Sequence, residues 1–234
     1  MRRVISYILF VAISLMAIPC FAQPRLRTAE MQFGIHGGVI ASMMYFTPKV
    51  EAANQLLNTV LLGGNGGFVF RYTKHKYFGL QVELNYLQRG WREKISASDV
   101  TEGGRYTRQL HYLEIPFLMH LYFGKRQWRG FFNLGPEIGY CIADTWTGTQ
   151  HPVNNEQYKP IDHPFDWGIT GGLGFYYRKP RIGVFQLEAR FMFSLGDTFA
   201  NRSKDYFGQS HAMNLSLNLG YLWEFQPKPK TKQP

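Results

Sequence analysis

Ionisable side chains recur at alternate positions of several apolar segments, where they could take part in acid–base chemistry. The set contains carboxylates, guanidinium groups and one imidazole: Arg71, Glu83, Glu114, His120, Glu137, Glu188, Arg190 and Glu224. Paired carboxylates beside a histidine can act as an acid and a base or pass protons along a path. Ionised groups in a protein interior also need partners, because an unpaired buried charge is costly. We interpret the set as a salt-bridged polar network, with proton transfer or catalysis as the alternative.

Other reactive residues form no recognisable catalytic or metal-binding motif. Ser210 and His211 are adjacent, but neither a third ordered group nor a Gly-x-Ser-x-Gly turn accompanies them. Cys141 is expected to pack as a small residue, with a reactive thiol as the alternative. The seven histidines show none of the usual zinc-ligand spacings. We therefore predict no catalytic residue, no metal and no cofactor.

The N-terminus has the pattern of a cleaved secretory signal. Two arginines precede an almost entirely apolar run over residues 4–18, and the small residues Cys20 and Ala22 precede the expected cleavage site. The run is shorter than the roughly 20 residues of a membrane-spanning helix. We assign residues 1–22 to a signal peptide. A retained anchor and a lipoprotein acylated at Cys20 are the alternatives, and Pro19 disfavours the second.

Beyond the signal, apolar and polar residues alternate with the period of a β-strand. In the last such segment Leu215, Leu217 and Leu219 share one face, while Asn214 and Asn218 lie on the other. The same alternation occurs near residues 33–43, 67–72, 78–86, 113–123, 132–142, 165–175 and 185–193. The sequence therefore predicts eight strands, each close to the 9 to 11 residues of a membrane-crossing β-strand.

The connections between these segments alternate between short and long. The short ones lie near residues 73–76, 124–127 and 178–181, and the long ones near 44–63, 91–108, 143–164 and 195–210. This order places all short turns at one end, as in outer-membrane barrels with short periplasmic turns. We predict an all-β fold over residues 23–225, an eight-stranded antiparallel up-and-down transmembrane β-barrel. A secreted β-sandwich, with its apolar faces turned inward, is the alternative.

Three details of this barrel can be predicted as well. The interior of eight strands is just filled by side chains, so no aqueous pore is expected. Residues 49–62 of the first long connection could form a short helix. Pro116 cannot donate a ladder hydrogen bond, so we expect it to mark a β-bulge.

Basic residues concentrate at the short-turn end. The chain has 26 Lys and Arg against 16 Asp and Glu, and no acidic residue lies in the short turns or in the basic Pro-rich tail over residues 226–234. We call the basic residues of the turns the periplasmic basic face: Lys74, Lys76, Lys125, Arg126, Arg178, Lys179 and Arg181. This face could attract anionic phospholipid or dock an acidic periplasmic partner. Nucleic acid is not a credible partner for an exported membrane protein.

Two motifs resemble a known group of barrels. The run Tyr-Leu-Glu-Ile-Pro-Phe at residues 112–117 is a broad mark of small porin-family outer-membrane barrels in Bacteroidetes-type bacteria. The neighbouring His-Leu-Tyr-Phe-Gly at 120–124 and Asn-Leu-Gly-Pro at 133–136 resemble the PorT-like barrels associated with type IX secretion.

The resemblance implies a non-enzymatic, multi-pass barrel in the bacterial outer membrane that assists protein export. Its expected partners are outer-membrane lipids and periplasmic or membrane components of the secretion machine. A stand-alone surface barrel that binds a host or matrix ligand through its long loops is the alternative function. An outer-membrane lipid hydrolase is the third.

Overall fold

A computed structural model describes residues 29–48, 58–75, 77–94, 105–125, 127–148, 161–179, 182–199 and 207–225. The predicted signal peptide over residues 1–22 and the predicted tail over residues 226–234 lie outside these ranges. Among the described residues, no helix is long and apolar enough to cross a membrane.

Nine β-strands make up the described structure. They are β1 (Glu30–Pro48), β2 (Asn58–Thr59), β3 (Leu61–Thr73), β4 (Phe78–Lys94), β5 (Arg105–Lys125), β6 (Trp128–Gly148), β7 (Phe165–Lys179), β8 (Gly183–Ser194) and β9 (Phe207–Phe225). The two-residue β2 pairs only with β4, and the other eight strands form the wall. Each wall strand pairs antiparallel with its neighbours in the chain, and β1 pairs with β9 to close the ring. The predicted eight-stranded antiparallel barrel is confirmed.

Alternation along each strand separates an apolar outside from a polar inside. In β9, Leu215, Leu217 and Leu219 point outward and stay more than half exposed, whereas Asn214 and Asn218 are buried at 3% and 1% exposure. Because successive side chains of a strand point to opposite faces, this pattern fixes the inward and outward faces of the whole wall. The apolar faces turn outward, contrary to a β-sandwich.

The strands are longer than predicted. Wall strands run from 12 residues in β8 to 21 in β5 and β6, so residues assigned to long connections continue the sheet. In these additional strand residues the pattern reverses, so that apolar Leu87 and Trp91 point inward and charged Arg92 points outward. The reason is that this part of the wall surrounds an apolar interior. The predicted helix over 49–62 is wrong at its C-terminal end, where residues 58–59 and 61–62 are strand; residues 49–57 lie outside the described ranges.

The expected bulge at Pro116 is also wrong. The β4–β5 register is the same on both sides of the proline, with Val82 opposite Phe117 and Asn85 opposite Glu114. The shift lies instead between His111 and Tyr112 of β5, opposite β6. Pro116 therefore removes one backbone donor without adding a residue to the ladder.

Two buried apolar layers occupy the ends of the interior. The long-loop layer consists of Ile40, Met44, Leu87, Trp91, Leu110, Tyr112 and Ala212. The short-turn layer consists of Val69, Tyr122, Phe131, Tyr176, Val184 and Leu222. Most of the buried charged side chains lie between or beside these layers, so the barrel interior is a polar core with apolar ends.

Candidate functional site

Arg190 joins two opposite walls of the barrel through a pair of carboxylates. It projects from β8, and its Nη1 and Nη2 donate to Glu83 of β4 at 2.6 and 2.8 Å. Nη2 also donates to Glu188 at 2.9 Å. Strands β4 and β8 lie four positions apart in the ring of eight, so this bidentate pair spans the lumen. We call Glu83, Glu188 and Arg190 the central triad.

Neutral side chains complete the hydrogen bonding of the triad. Gln81 Nε2 and Asn85 Nδ2 donate to Glu83 at 2.5 and 2.8 Å, and Asn133 Nδ2 donates to Glu188 at 2.9 Å. The ring of His36 is 2.7 Å from Asn85 Oδ1, and that of His120 is 2.7 Å from Asn133 Oδ1. A buried network of this kind stabilises a unique arrangement only when its members are satisfied. The triad meets this condition.

A second guanidinium group holds the long-loop side of the network. Arg89 of β4 donates to Asp166 Oδ2 of β7 at 2.5 Å and to Glu114 Oε1 of β5 at 3.4 Å. Its guanidinium carbon lies 3.4 Å from the ring centre of Tyr112, and Ser194 donates to the other oxygen of Asp166 at 2.5 Å. Sequence reasoning missed both Arg89 and Asp166. Continuing the alternation past Tyr86 would have placed Arg89 inward.

Arg71 makes the corresponding contacts on the short-turn side of the network. It donates to Gln81 at 2.6 Å and to Gln186 at 2.7 Å. Its guanidinium carbon is 5.7 Å from the ring centres of both Phe131 and Tyr176, so the positive charge rests against the short-turn layer. Together, Arg190, Arg89 and Arg71 link β3, β4, β5, β7 and β8, and the last two also stack on rings of the apolar layers.

Two predicted members of the network differ from the rest. Glu137 is buried at 4% exposure, but its Oε1 has no hydrogen-bond partner. Glu224 lies away from the centre, at the short-turn end, where it accepts from Arg178 Nε at 3.0 Å. Arg178 also donates to Glu30 at 3.3 Å. Arg178 was predicted as part of an unopposed basic face, and the structure instead pairs it with two carboxylates.

The rest of the periplasmic basic face is described only in part. Lys74 and Lys179 are exposed. Lys76, Arg126, Arg181 and the side chain of Lys125 lie outside the described structure.

The structure does not bring Ser210 and His211 together as a catalytic pair. Ser210 points inward, and its Oγ accepts from the backbone N–H groups of Thr198 and Phe199 at 3.1 and 3.2 Å. His211 is on the opposite face of β9, with its ring 5.7 Å from that of Phe193. Within the described ranges, no three His, Cys, Asp or Glu side chains form a metal-binding set.

Comparison with known proteins connects this geometry to a family. A family model described as an outer membrane protein beta-barrel domain matches residues 21–200. This chain belongs to that family. In outer-membrane barrels the apolar outer face lies against lipid, the short turns lie in the periplasm and the long loops lie outside the cell, and we expect the same orientation here. The family match does not single out the PorT-like group, which stays a prediction.

Several solved outer-membrane proteins are similar to this chain over most of their length. OprG from Pseudomonas aeruginosa is 15% identical, with 88% of this chain and 99% of that chain covered and a TM-score of 0.48. Ail of Yersinia pestis is 13% identical, with coverages of 82% and 98% and a TM-score of 0.38. Neisserial surface protein A is 8% identical, with coverages of 81% and 96% and a TM-score of 0.43. No curated protein matches the chain.

The chemistry of the lumen is that of a plug. The carboxylates of the central triad are held by a guanidinium group and amide donors, and an apolar layer lies towards each end. These contacts cross the lumen rather than line an open path along it.

Proposed function

We propose that this outer-membrane barrel is a non-enzymatic accessory of protein export, of the PorT-like kind associated with type IX secretion. The observation that carries the proposal is the Arg190–Glu83 pair across the lumen, between two apolar layers. A barrel closed in this way does not serve solute diffusion. Its contribution to the cell then comes from contacts made at its ends.

The periplasmic basic face is the proposed contact for the export machinery. Lys74 and Lys179 are exposed at the short-turn end, and the turns carry no acidic residue. A cluster of exposed positive charges attracts an acidic partner and speeds its association. Salt screens this attraction over about 8 Å at physiological ionic strength. Arg178 is excluded from this contact because Glu30 and Glu224 already bind it.

Complementation of a deletion strain tests this function. We expect the deletion to leave signal-bearing cargo in the periplasm and the wild-type gene to restore its secretion. A variant with Lys74, Lys125, Arg126 and Lys179 changed to Gln is expected to form a heat-modifiable barrel but to restore little secretion. The matched control exchanges Lys for Arg and Arg for Lys at the same four positions and should behave as wild type.

Two results would contradict the proposal. Normal cargo secretion in the deletion strain would exclude a role in export. Full complementation by the Gln variant would exclude electrostatic docking at these four positions while leaving an export role intact.

A surface barrel that binds a ligand outside the cell is the second candidate. The observation that favours it is the length of β5 and β6, which reach 21 residues each and carry the wall beyond the long-loop layer. Trp146 of β6 is 54% exposed in this extension. Replacing residues 95–104 and 149–160 by short Gly-Ser linkers separates the two candidates, since it should abolish ligand adhesion under the second and leave cargo export unchanged.

A further inference from the structure

The outward face of β4, β5 and β6 changes from apolar to polar towards the long-loop end. On β4, the outward side chains of Leu80, Leu84 and Tyr86 are exposed and suited to lipid. Beyond Tyr86 the outward positions of the three strands carry polar side chains. We call them the outer polar patch: Gln88, Arg92, Thr107, Gln109, His111 and Thr145. Such a change along one face marks the level at which the wall leaves the hydrocarbon of the membrane.

A contact between Tyr86 and His111 marks the lower edge of the patch. Tyr86 Oη lies 2.6 Å from His111 Nδ1, and the two rings are stacked with their centres 5.9 Å apart. Tyrosine is common in the aromatic girdles of outer-membrane barrels, at the interface of lipid and water. Two residues of a tilted strand rise by about 5 Å along the barrel axis. Arg92, six residues beyond Tyr86, therefore lies about 15 Å above this edge.

The upper end of the patch is basic. Arg92 is exposed, and two residues further along β4 Lys94 is paired in register with Arg105 of β5. By the alternation of the strands, these two positions belong to the outward side together with Arg92, whereas Glu93 alternates with them in the same phase as the inward Trp91. No side chain of the outer polar patch is acidic, so the field of this surface attracts anions.

The other side of the barrel lacks such a surface at the same end. The first outward residues of β7, Phe165 and Trp167, are aromatic and more than half exposed. The outward positions at the corresponding ends of β1 and β8 carry no basic residue within the described ranges. Positive charge is thus concentrated on one side of the wall, directly above lipid-facing side chains. This arrangement fits a molecule that is anchored in the membrane and carries its negative charge well above the hydrocarbon.

We propose that the outer polar patch binds the phosphorylated sugar headgroup of one outer-leaflet glycolipid. The acyl chains lie against the apolar positions below Tyr86, and the phosphate groups reach Arg92 and its basic neighbours. The sugar hydroxyl groups meet the amide and hydroxyl side chains of Gln109 and Thr145. A phospholipid does not fit, because its headgroup layer is only about 5 to 8 Å thick. The site lies at the end of the barrel opposite the periplasmic basic face and does not depend on a role in export.

Titration with defined lipids tests the site. The purified full chain, folded in neutral detergent micelles, is titrated with rough lipopolysaccharide, with the same glycolipid after removal of its phosphate groups, and with phosphatidylglycerol. Thermophoresis of the labelled barrel measures the affinity, and native mass spectrometry counts the bound molecules. We expect one glycolipid per barrel and much weaker binding of the two comparison lipids.

A charge variant locates the binding on the wall. Changing Arg92, Lys94 and Arg105 to Gln should weaken binding of the phosphorylated glycolipid roughly a hundredfold, because three basic contacts with an anionic group are lost. The matched control changes Lys74, Lys125 and Lys179 to Gln, which removes the same charge from the short-turn end. The control should keep the affinity of wild type, and heat-modifiable mobility shows that both variants are folded.

Three results would overturn the proposal. Equal affinity of wild type and the Arg92 triple variant would place the glycolipid elsewhere. Equal binding of the phosphorylated and dephosphorylated glycolipids would exclude phosphate recognition, and this comparison on wild type decides if the triple variant does not fold. Equally tight binding of heparin, a soluble polyanion without acyl chains, would make the patch a site for polyanions from solution rather than for a membrane lipid.

Discussion

The outward and inward faces of the same strands follow different rules. On the outside of β9, Leu215, Leu217 and Leu219 need only be apolar, because lipid accepts any of them. On the inside, Asn218 is matched to particular partners, because its Oδ1 accepts from Asn65 of β3 and its Nδ2 donates to Ser216. The wall thus depends on a repeating pattern, whereas the interior depends on particular pairs of residues brought together by ring closure. Substitutions on the two faces should therefore destabilise the protein for different physical reasons.

The largest effect is expected inside, at Arg190. Changing Arg190 to Leu leaves Glu83 and Glu188 buried without their guanidinium partner, which should lower the free energy of unfolding by roughly 3 to 5 kcal/mol. Urea unfolding of the vesicle-embedded protein, followed by tryptophan fluorescence, measures the change.

A compensated variant provides the control for Arg190. Replacing Glu83 and Glu188 by Gln in the Arg190→Leu background removes the stranded charges and should recover part of the loss. If the single and triple variants are equally destabilised, the cost is one of packing rather than of unpaired charge.

A smaller loss is expected on the outside, at Leu217. This side chain is 51% exposed on the outer face of β9, so Leu217→Arg places a charge in the lipid and should cost about 2 to 4 kcal/mol. Leu217→Ile, which stays apolar, should be close to neutral. Outer-membrane abundance and urea unfolding of both variants check this expectation, and equal stability of the two would mean that Leu217 does not face lipid.

The smallest loss of stability is expected at Arg178, at the short-turn rim of the barrel. Arg178 is bound by Glu224 and Glu30 but keeps 15% of its side chain exposed. Solvent screening limits the value of such pairs, so Arg178→Gln should cost about 1 kcal/mol or less and leave cargo secretion unchanged. A defect in secretion with normal stability would return Arg178 to the proposed docking face.

The wall could be predicted from sequence because the direction of each side chain follows from the polarity of its sequence neighbours. Two adjacent residues, such as Leu217 and Asn218, already distinguish the outer face from the inner one, and the alternation of short and long connections then orients the barrel. Prediction failed where the pattern reversed. Leu87 and Trp91 are apolar but inward, because the lumen itself becomes apolar near the long-loop end.

The pairs inside the barrel could not be predicted in the same way. The inward positions of Glu83 and Arg190 follow from alternation, but the two residues are 107 positions apart and meet only because β4 and β8 are opposite in the closed ring. Arg178 was misjudged for the same reason. Its partners Glu30 and Glu224 lie in the first and last strands, and closure of β1 on β9 brings them to it.

Single-channel recording tests most directly whether the lumen is plugged. Folded wild-type protein is inserted into a planar lipid bilayer, and current is recorded at both polarities in concentrated salt. Since the Arg190–Glu83 pair crosses the lumen between two apolar layers, we expect no stable stepwise conductance. Steady, reproducible open channels formed by the folded wild-type barrel would contradict the closed lumen and with it the proposal that this protein acts through its ends.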